Sequence, residues 1–159
     1  MIKITLIALG KLKEKYLADA VSEYKKRLSR YCSLDICEIE PVRLSDKPSE
    51  AEIKNALEKE AQLIFKKIPS GSKVISLCVE GKEMPSEQLA KNIDNFCNAG
   101  QNITFIIGSS YGLCEAVKKQ SDIKLSLSQM TCPHQLFRGM LLEQVYRAFK
   151  INEGSTYHK

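Results

Sequence analysis

Tryptophan is absent from the 159-residue chain, histidine occurs only twice, and the six cysteines include no Cys-x-x-Cys pair. His134 and His158 are far apart and cysteines 32, 37, 78, 97, 114 and 132 each stand alone, so no metal is implied. Cysteines scattered through apolar runs read as reduced core residues rather than as three disulfides. No apolar stretch approaches the roughly 20 residues of a membrane span. The opening Ile2 to Leu9 is short, carries only Lys3 as a basic residue and runs into Gly10-Lys11-Leu12-Lys13 without a small-residue cleavage pattern. It therefore reads as a strand and not as a signal peptide, and the expected location is the cytoplasm. Aromatic residues make up only 7% of a chain that is 43% hydrophobic and 27% charged, a composition typical of a soluble globular protein. The length suits one domain over residues 1–159.

Charge is present in modest amount but is unevenly placed. Residues 1–30 hold eight Lys/Arg (3, 11, 13, 15, 25, 26, 27, 30) against Glu14, Asp19 and Glu23, an excess that equals the +5 of the whole chain. Such a patch suits phosphate, although a lysine-rich helix is also an ordinary solvated face.

Apolar periodicity predicts alternating strands and helices. Ile2–Leu9 reads as a buried strand, followed by a helix from about 13 to 30 with Leu17, Val21, Tyr24 and Leu28 on one face. Leu34–Ile39 is a second strand, and Ser49-x-x-Glu52 is a capping box opening a helix to about Lys67 that Pro69-Ser70-Gly71 stops. Val74–Val79 and Ile103–Ile107 are further strands, with a helix from Pro85-Ser86 to about Asn98 between them. A short helix over 112–120, a fifth strand over 123–127 and a helix from His134 to about Asn152 complete the chain. The last helix buries Phe137, Leu141, Val145 and Phe149. This alternation predicts an α/β fold with a mainly parallel sheet of five to six strands and helices on both faces.

The last third holds the candidates for chemistry. Open parallel sheets bind ligands beyond the carboxyl ends of their strands, so Gly108-Ser109-Ser110-Tyr111-Gly112 and Leu127-Ser128-Gln129-Met130-Thr131-Cys132 are expected to meet in one pocket together with the histidine-bearing tail. The glycine loop has neither a Gly-x-Gly-x-x-Gly pattern nor a P-loop lysine, and it reads equally as a tight turn that needs glycine for backbone reasons. His134 at a helix start would be held neutral by the helix dipole and could act as a base, or could simply cap the helix. Glu143 and Arg147 stand at i,i+4, the spacing of an ordinary helix ion pair, while Arg147 also suits a phosphate. Tyr157-His158-Lys159 combines a flat ring, an imidazole and a charge, fit for a stacked base or else a frayed end.

Taken together, Lys3-Ile4-Thr5, Gly10-Lys11-Leu12-Lys13, Val74-Ile75-Ser76-Leu77, Phe105-Ile106-Ile107-Gly108, Leu125 to Thr131, Pro133-His134, Glu143 to Ala148 and Tyr157-His158-Lys159 resemble the RlmH family over the full length. The resemblance implies a SPOUT-class enzyme that methylates N3 of a pseudouridine in 23S ribosomal RNA from S-adenosylmethionine. It further implies a C-terminal trefoil knot, a homodimer, and the large ribosomal subunit or assembled ribosome as partner. Carried over residue by residue, it puts Leu77, Gly108, Leu127, Ser128, Gln129, Met130, Thr131 and Cys132 at the cofactor. His134, Arg147, Tyr157 and His158 fall on the RNA side, the tail of one protomer completing the pocket of the other. Three positions depart from the pattern: Ser109 replaces a second glycine, Tyr111 a smaller residue, and Thr156 a proline. Serine at 109 would be strained if the loop needed positive φ there. A catalytically silent ribosome-binding assembly factor of the same fold, or a methyltransferase acting on another RNA such as transfer RNA, are the alternatives.

Overall fold

The computed structural model describes residues 1–159. Strands and helices alternate as β1 (Ile2–Leu9), α1 (Lys15–Leu28), β2 (Cys32–Ile39), α2 (Glu50–Lys67), β3 (Lys73–Lys82), α3 (Ser86–Asn98), β4 (Ile103–Ile107), α4 (Glu115–Lys119), β5 (Ile123–Leu125) and α5 (His134–Asn152). The five strands are all parallel in the order β2-β1-β4-β3-β5. Every residue of β4 and residues 4–9 of β1 are buried, which is why these strands are apolar without alternation.

Side chains of opposite parity enter two cores. Ile4, Leu6, Ala8, Phe105 and Ile107 pack with α1, α3 and α5. Ile7, Leu9 and Ile106 pack with Ala61 and Ile64 of α2 and Val117 of α4. Helices thus cover both faces, as the alternation of elements predicts. Lys13 N–H donates to Gln135 Oε1 at one end and the Tyr31 hydroxyl to Glu153 at the other, so α1 lies parallel to α5 along its length. Ser49 caps α2 as its motif predicts, accepting from Glu52 N–H at 3.2 Å.

β2 starts at Cys32, two residues before the expected Leu34, and β3 at Lys73, one before Val74; two further strand boundaries, beside the site, differ from expectation for linked reasons. β5 stops at Leu125, not 127, and β3 continues beyond Val79 to Lys82. Leu125 pairs with Leu77 and, across a register shift, with Lys82, whose carbonyl accepts from Ser126 N–H at 3.1 Å. The polar Glu80-Gly81-Lys82 stretch is strand because its backbone groups find partners there, not because its side chains are buried. The close approach requires glycine: a Cβ at Gly81 would lie 2.8 Å from backbone atoms of Lys124 and Leu125. The short helix is also briefer than predicted, spanning 115–119 instead of 112–120, because 108–114 form a loop.

Candidate active site

The strand order sets the site. Because β3 lies between β4 and β5, Leu77 pairs with Ile107 on one side and Leu125 on the other, and the segments that follow all leave from one edge of the sheet. They enclose a cavity of about 410 Å³, within the roughly 300–1,000 Å³ common for small-molecule sites. Leu77, Gly108, Leu127, Ser128, Thr131 and Cys132 line it, and so does His134 from the first turn of α5. Gln129 and Met130 do not: the Met130 N–H turns back to the Ser128 hydroxyl at 3.0 Å and its side chain is 77% exposed.

Gly108 serves packing. A Cβ there would fall 2.4 Å from the Gly112 carbonyl oxygen, because the loop folds back with Gly112 N–H donating to Ser109 O at 2.9 Å. The strain expected for Ser109 does not arise, since no non-glycine residue has positive φ. Instead the Ser109 hydroxyl donates to Glu60 Oε1 of α2 at 3.2 Å, and the other carboxylate oxygen accepts from Val42 N–H. Glu60 is buried, which raises its pKa against the opposing pull of those two donors.

Sequence reasoning missed part of the wall. Cys78, Glu80, Lys118 and Phe137 also line the cavity. Lys118 pairs with Glu80 and Glu115, its hydrogen bond holding the Glu80 carboxyl below the usual range. Only the strand order reveals Glu80 and Lys118, whereas the approach of Leu77 to the site hinted at Cys78. Burial raises the Cys78 thiol, making it a poor nucleophile. His134 moves the other way: burial, then the charge of Arg138, lower its pKa and favour the neutral imidazole.

The remaining candidates form a second cluster. Arg147 Nη2 and Nε donate to Glu143 Oε1 at 2.6 and 2.9 Å, so the pair is present, but it is largely buried and not a solvated surface contact. Tyr157 OH donates to Glu143 Oε2 at 2.9 Å, its ring lies against Tyr146, and the Arg147 guanidinium stacks over it 4.7 Å from the centroid. His158 contacts Glu87 at 2.8 Å and Arg147 at 3.3 Å. Burial pushes the Glu143 carboxyl up, but the Tyr24 and Tyr157 hydroxyls and Arg147 outweigh it and leave the pKa lowered. Burial and that carboxylate push Tyr24 up to about 12. The tail is therefore docked and not frayed. The expected convergence on one pocket is not met within one chain: Arg147 lies thirteen positions after His134 on α5, about 20 Å along the helix.

Residues 2–158 match a family model described as "Predicted SPOUT methyltransferase". The chain is 52% identical over 157 residues to ribosomal RNA large subunit methyltransferase H 1 of Clostridium perfringens, covering 98% of this chain and 99% of that one. It is 48% identical over 158 residues to ribosomal RNA large subunit methyltransferase H of Streptococcus suis, covering 99% of each. A solved structure described as a probable methylase family protein from Haemophilus influenzae Rd KW20 superposes with a TM-score of 0.60 at 14% identity. It covers 100% of this chain and 72% of that one, a likeness of fold.

Proposed function

The chain belongs to the SPOUT methyltransferase family, and from that membership we propose that it methylates 23S ribosomal RNA at N3 of a pseudouridine, using S-adenosylmethionine. The observation that carries this reading is the cavity at the ends of β3, β4 and β5, closed by the Gly108 loop on one side and residues 125–134 on the other.

The residues present fit the cofactor. Leu77, Ile107, Leu125 and Leu127 give apolar walls for an adenine, and the irregular backbone of 127–132 leaves polar groups free to meet it. S-adenosylmethionine supplies, when bound, a methyl group on a sulfonium whose transfer needs only in-line approach of a nucleophile. The protein's part is alignment, which supplies much of such an acceleration. An imide nitrogen is a poor nucleophile until it loses its proton, and the neutral His134 ring accepts that proton at the cavity wall.

Arg147, Tyr157 and His158 act on the RNA, the guanidinium at a phosphate and the ring against a base. Arg147 stands about 20 Å from His134 along α5 and the tail packs beside it, so a homodimer in which the tail of a second protomer reaches the pocket brings both groups to one substrate. The trefoil knot of the family would lie in the C-terminal part of the chain. Lys11 and Lys15 set register on phosphates of the large subunit. No helix is long and apolar enough to cross a membrane; on this reading residues 1–159 work as one domain in the cytoplasm, where ribosomes are.

Mass-spectrometric mapping of ribosomal RNA from cells with and without the protein tests the reading. One methyl on a 23S pseudouridine should appear only with the protein. Ribosomal RNA unchanged between the two would end it, and a methyl found on transfer RNA instead would move the substrate.

A further inference from the structure

Arg138 is among the most completely buried side chains of the molecule, 1% exposed, and it lies one helical turn after His134. Its Nη1 donates to Glu38 Oε2 of β2 at 2.6 Å, and its Nη2 donates to the carbonyl of Gly10, just past β1, at 2.5 Å. Nε–H has no partner. Only the guanidinium is buried, Glu38 being exposed, so the pair gives weak support for stability while the buried cation is desolvated and its orphaned donor is a further cost. The arrangement calls for another explanation.

Location supplies one. Gly10 takes φ +97°, and a Cβ there would come within 3.8 Å of His134 Nε2. In the same loop Lys13 N–H donates to Gln135 Oε1 at 3.2 Å. The turn that carries His134 is therefore held by side chains reaching the ends of two strands. Resting on the reading of the cavity as the methyl-transfer site, we propose that Arg138 is a positioning residue. It fixes the first turn of α5, and with it the His134 imidazole, against the loop after β1 at the wall of the cavity.

The charges around His134 are Arg138 on its own helix, Glu38 behind that guanidinium, the exposed Lys11 and Lys13 in the loop after Gly10, and the paired Glu80 and Lys118 on the wall of the same cavity. After burial, the cation nearest the ring disfavours a second positive charge on it, so the imidazole is kept proton-free and available, with its basicity reduced. Glu38 is partly exposed, so its substitution is the milder perturbation.

With only two histidines, imidazole resonances report both rings, and H158Q assigns them. In full-length Arg138→Met the His134 titration should move to higher pH while His158 stays in place. Turnover on ribosomes should fall about 100-fold, the scale of an ångström's misplacement, with the Kd for S-adenosylmethionine changing less than about threefold. Arg138→Lys, keeping the charge, should leave the titration near its original position and restore part of the turnover. Glu38→Gln, leaving the cation uncompensated, should move His134 to lower pH. Opposite movements in the Met and Gln variants are not expected of packing damage alone. A folded Arg138→Met with unchanged titration and turnover would overturn the proposal, and if that variant does not fold, a folded Glu38→Gln whose His134 titration stays in place or moves to higher pH would overturn it equally. Wild-type protein that methylates no ribosomal RNA would sink the functional reading, while the titrations would still decide the role of Arg138.

Discussion

The cavity at the strand ends and the cluster where the tail docks are built by different means. The cavity is made mainly by main chain: Gly108 folded against Gly112, the irregular 126–133 segment, and strands brought side by side by their order. The cluster is made by side chains radiating from Glu143 to Arg147 and Tyr157, with Tyr146 and His158 around them. Backbone-built sites depend on what cannot fit, and side-chain-built sites on what must be paired. Substitutions should therefore damage the two in different ways.

The largest expected effect is on turnover. Arg147→Ala or His158→Ala should lower it by about 100-fold, as removal of a group acting on the reacting RNA does, while calorimetry shows S-adenosylmethionine binding nearly intact. Unchanged turnover in both would take the cluster out of the reaction. Gly108→Ala is the converse. Its added Cβ meets backbone 2.4 Å away, an overpacking cost of about 1–3 kcal/mol, so cofactor affinity should weaken by up to about 100-fold in calorimetry. Wild-type affinity in that variant would show that the loop yields freely.

Smaller effects separate the regions by pH. Glu143 has a lowered pKa, so its contribution to stability is present above the unfolded carboxylate range and lost as pH falls through the folded value. Glu60 has a raised pKa, so its contribution is greatest at low pH and declines as pH rises through its folded value. Denaturant melts at pH 7 should find Glu143→Gln destabilised by about 1–2 kcal/mol, the scale of hydrogen bonds to a charged group. Glu60→Gln should gain stability at pH 7, and loss of stability there would mean that its two donors require the charge. The smallest effect is the salt dependence of RNA binding, whose log–log slope should drop by about 1 for Lys15→Gln. An unaltered slope leaves Lys15, paired with Asp19 at the surface, as solvated charge.

The same contrast explains what the sequence made legible. β1 and β4 announce themselves because both faces are covered, and Ser49 announces α2 because a cap is a local event. The extension of β3 through Glu80-Gly81-Lys82 does not, since its partners come from a segment more than forty residues on. In the site, Leu77, Gly108 and Thr131 follow from strand ends, but Met130 turns outward because of one hydrogen bond to Ser128. Lys118 is hidden because a lysine in a short polar helix carries no sign of a wall it will join. Arg138 did leave a mark: it falls three residues before Leu141 and seven before Val145, on the buried stripe of α5, where a charge needs a partner.

Gly81 makes two remote stretches of main chain pass with nothing between them. The end of β5 is gripped from Leu77 and Lys82 at once, so neither stretch can settle until the other has arrived. The two stretches are thereby interdependent: the wall of the cavity is complete only when the C-terminal third is drawn into place beside β3. Pairing between stretches more than forty residues apart raises the contact order, which in general slows folding.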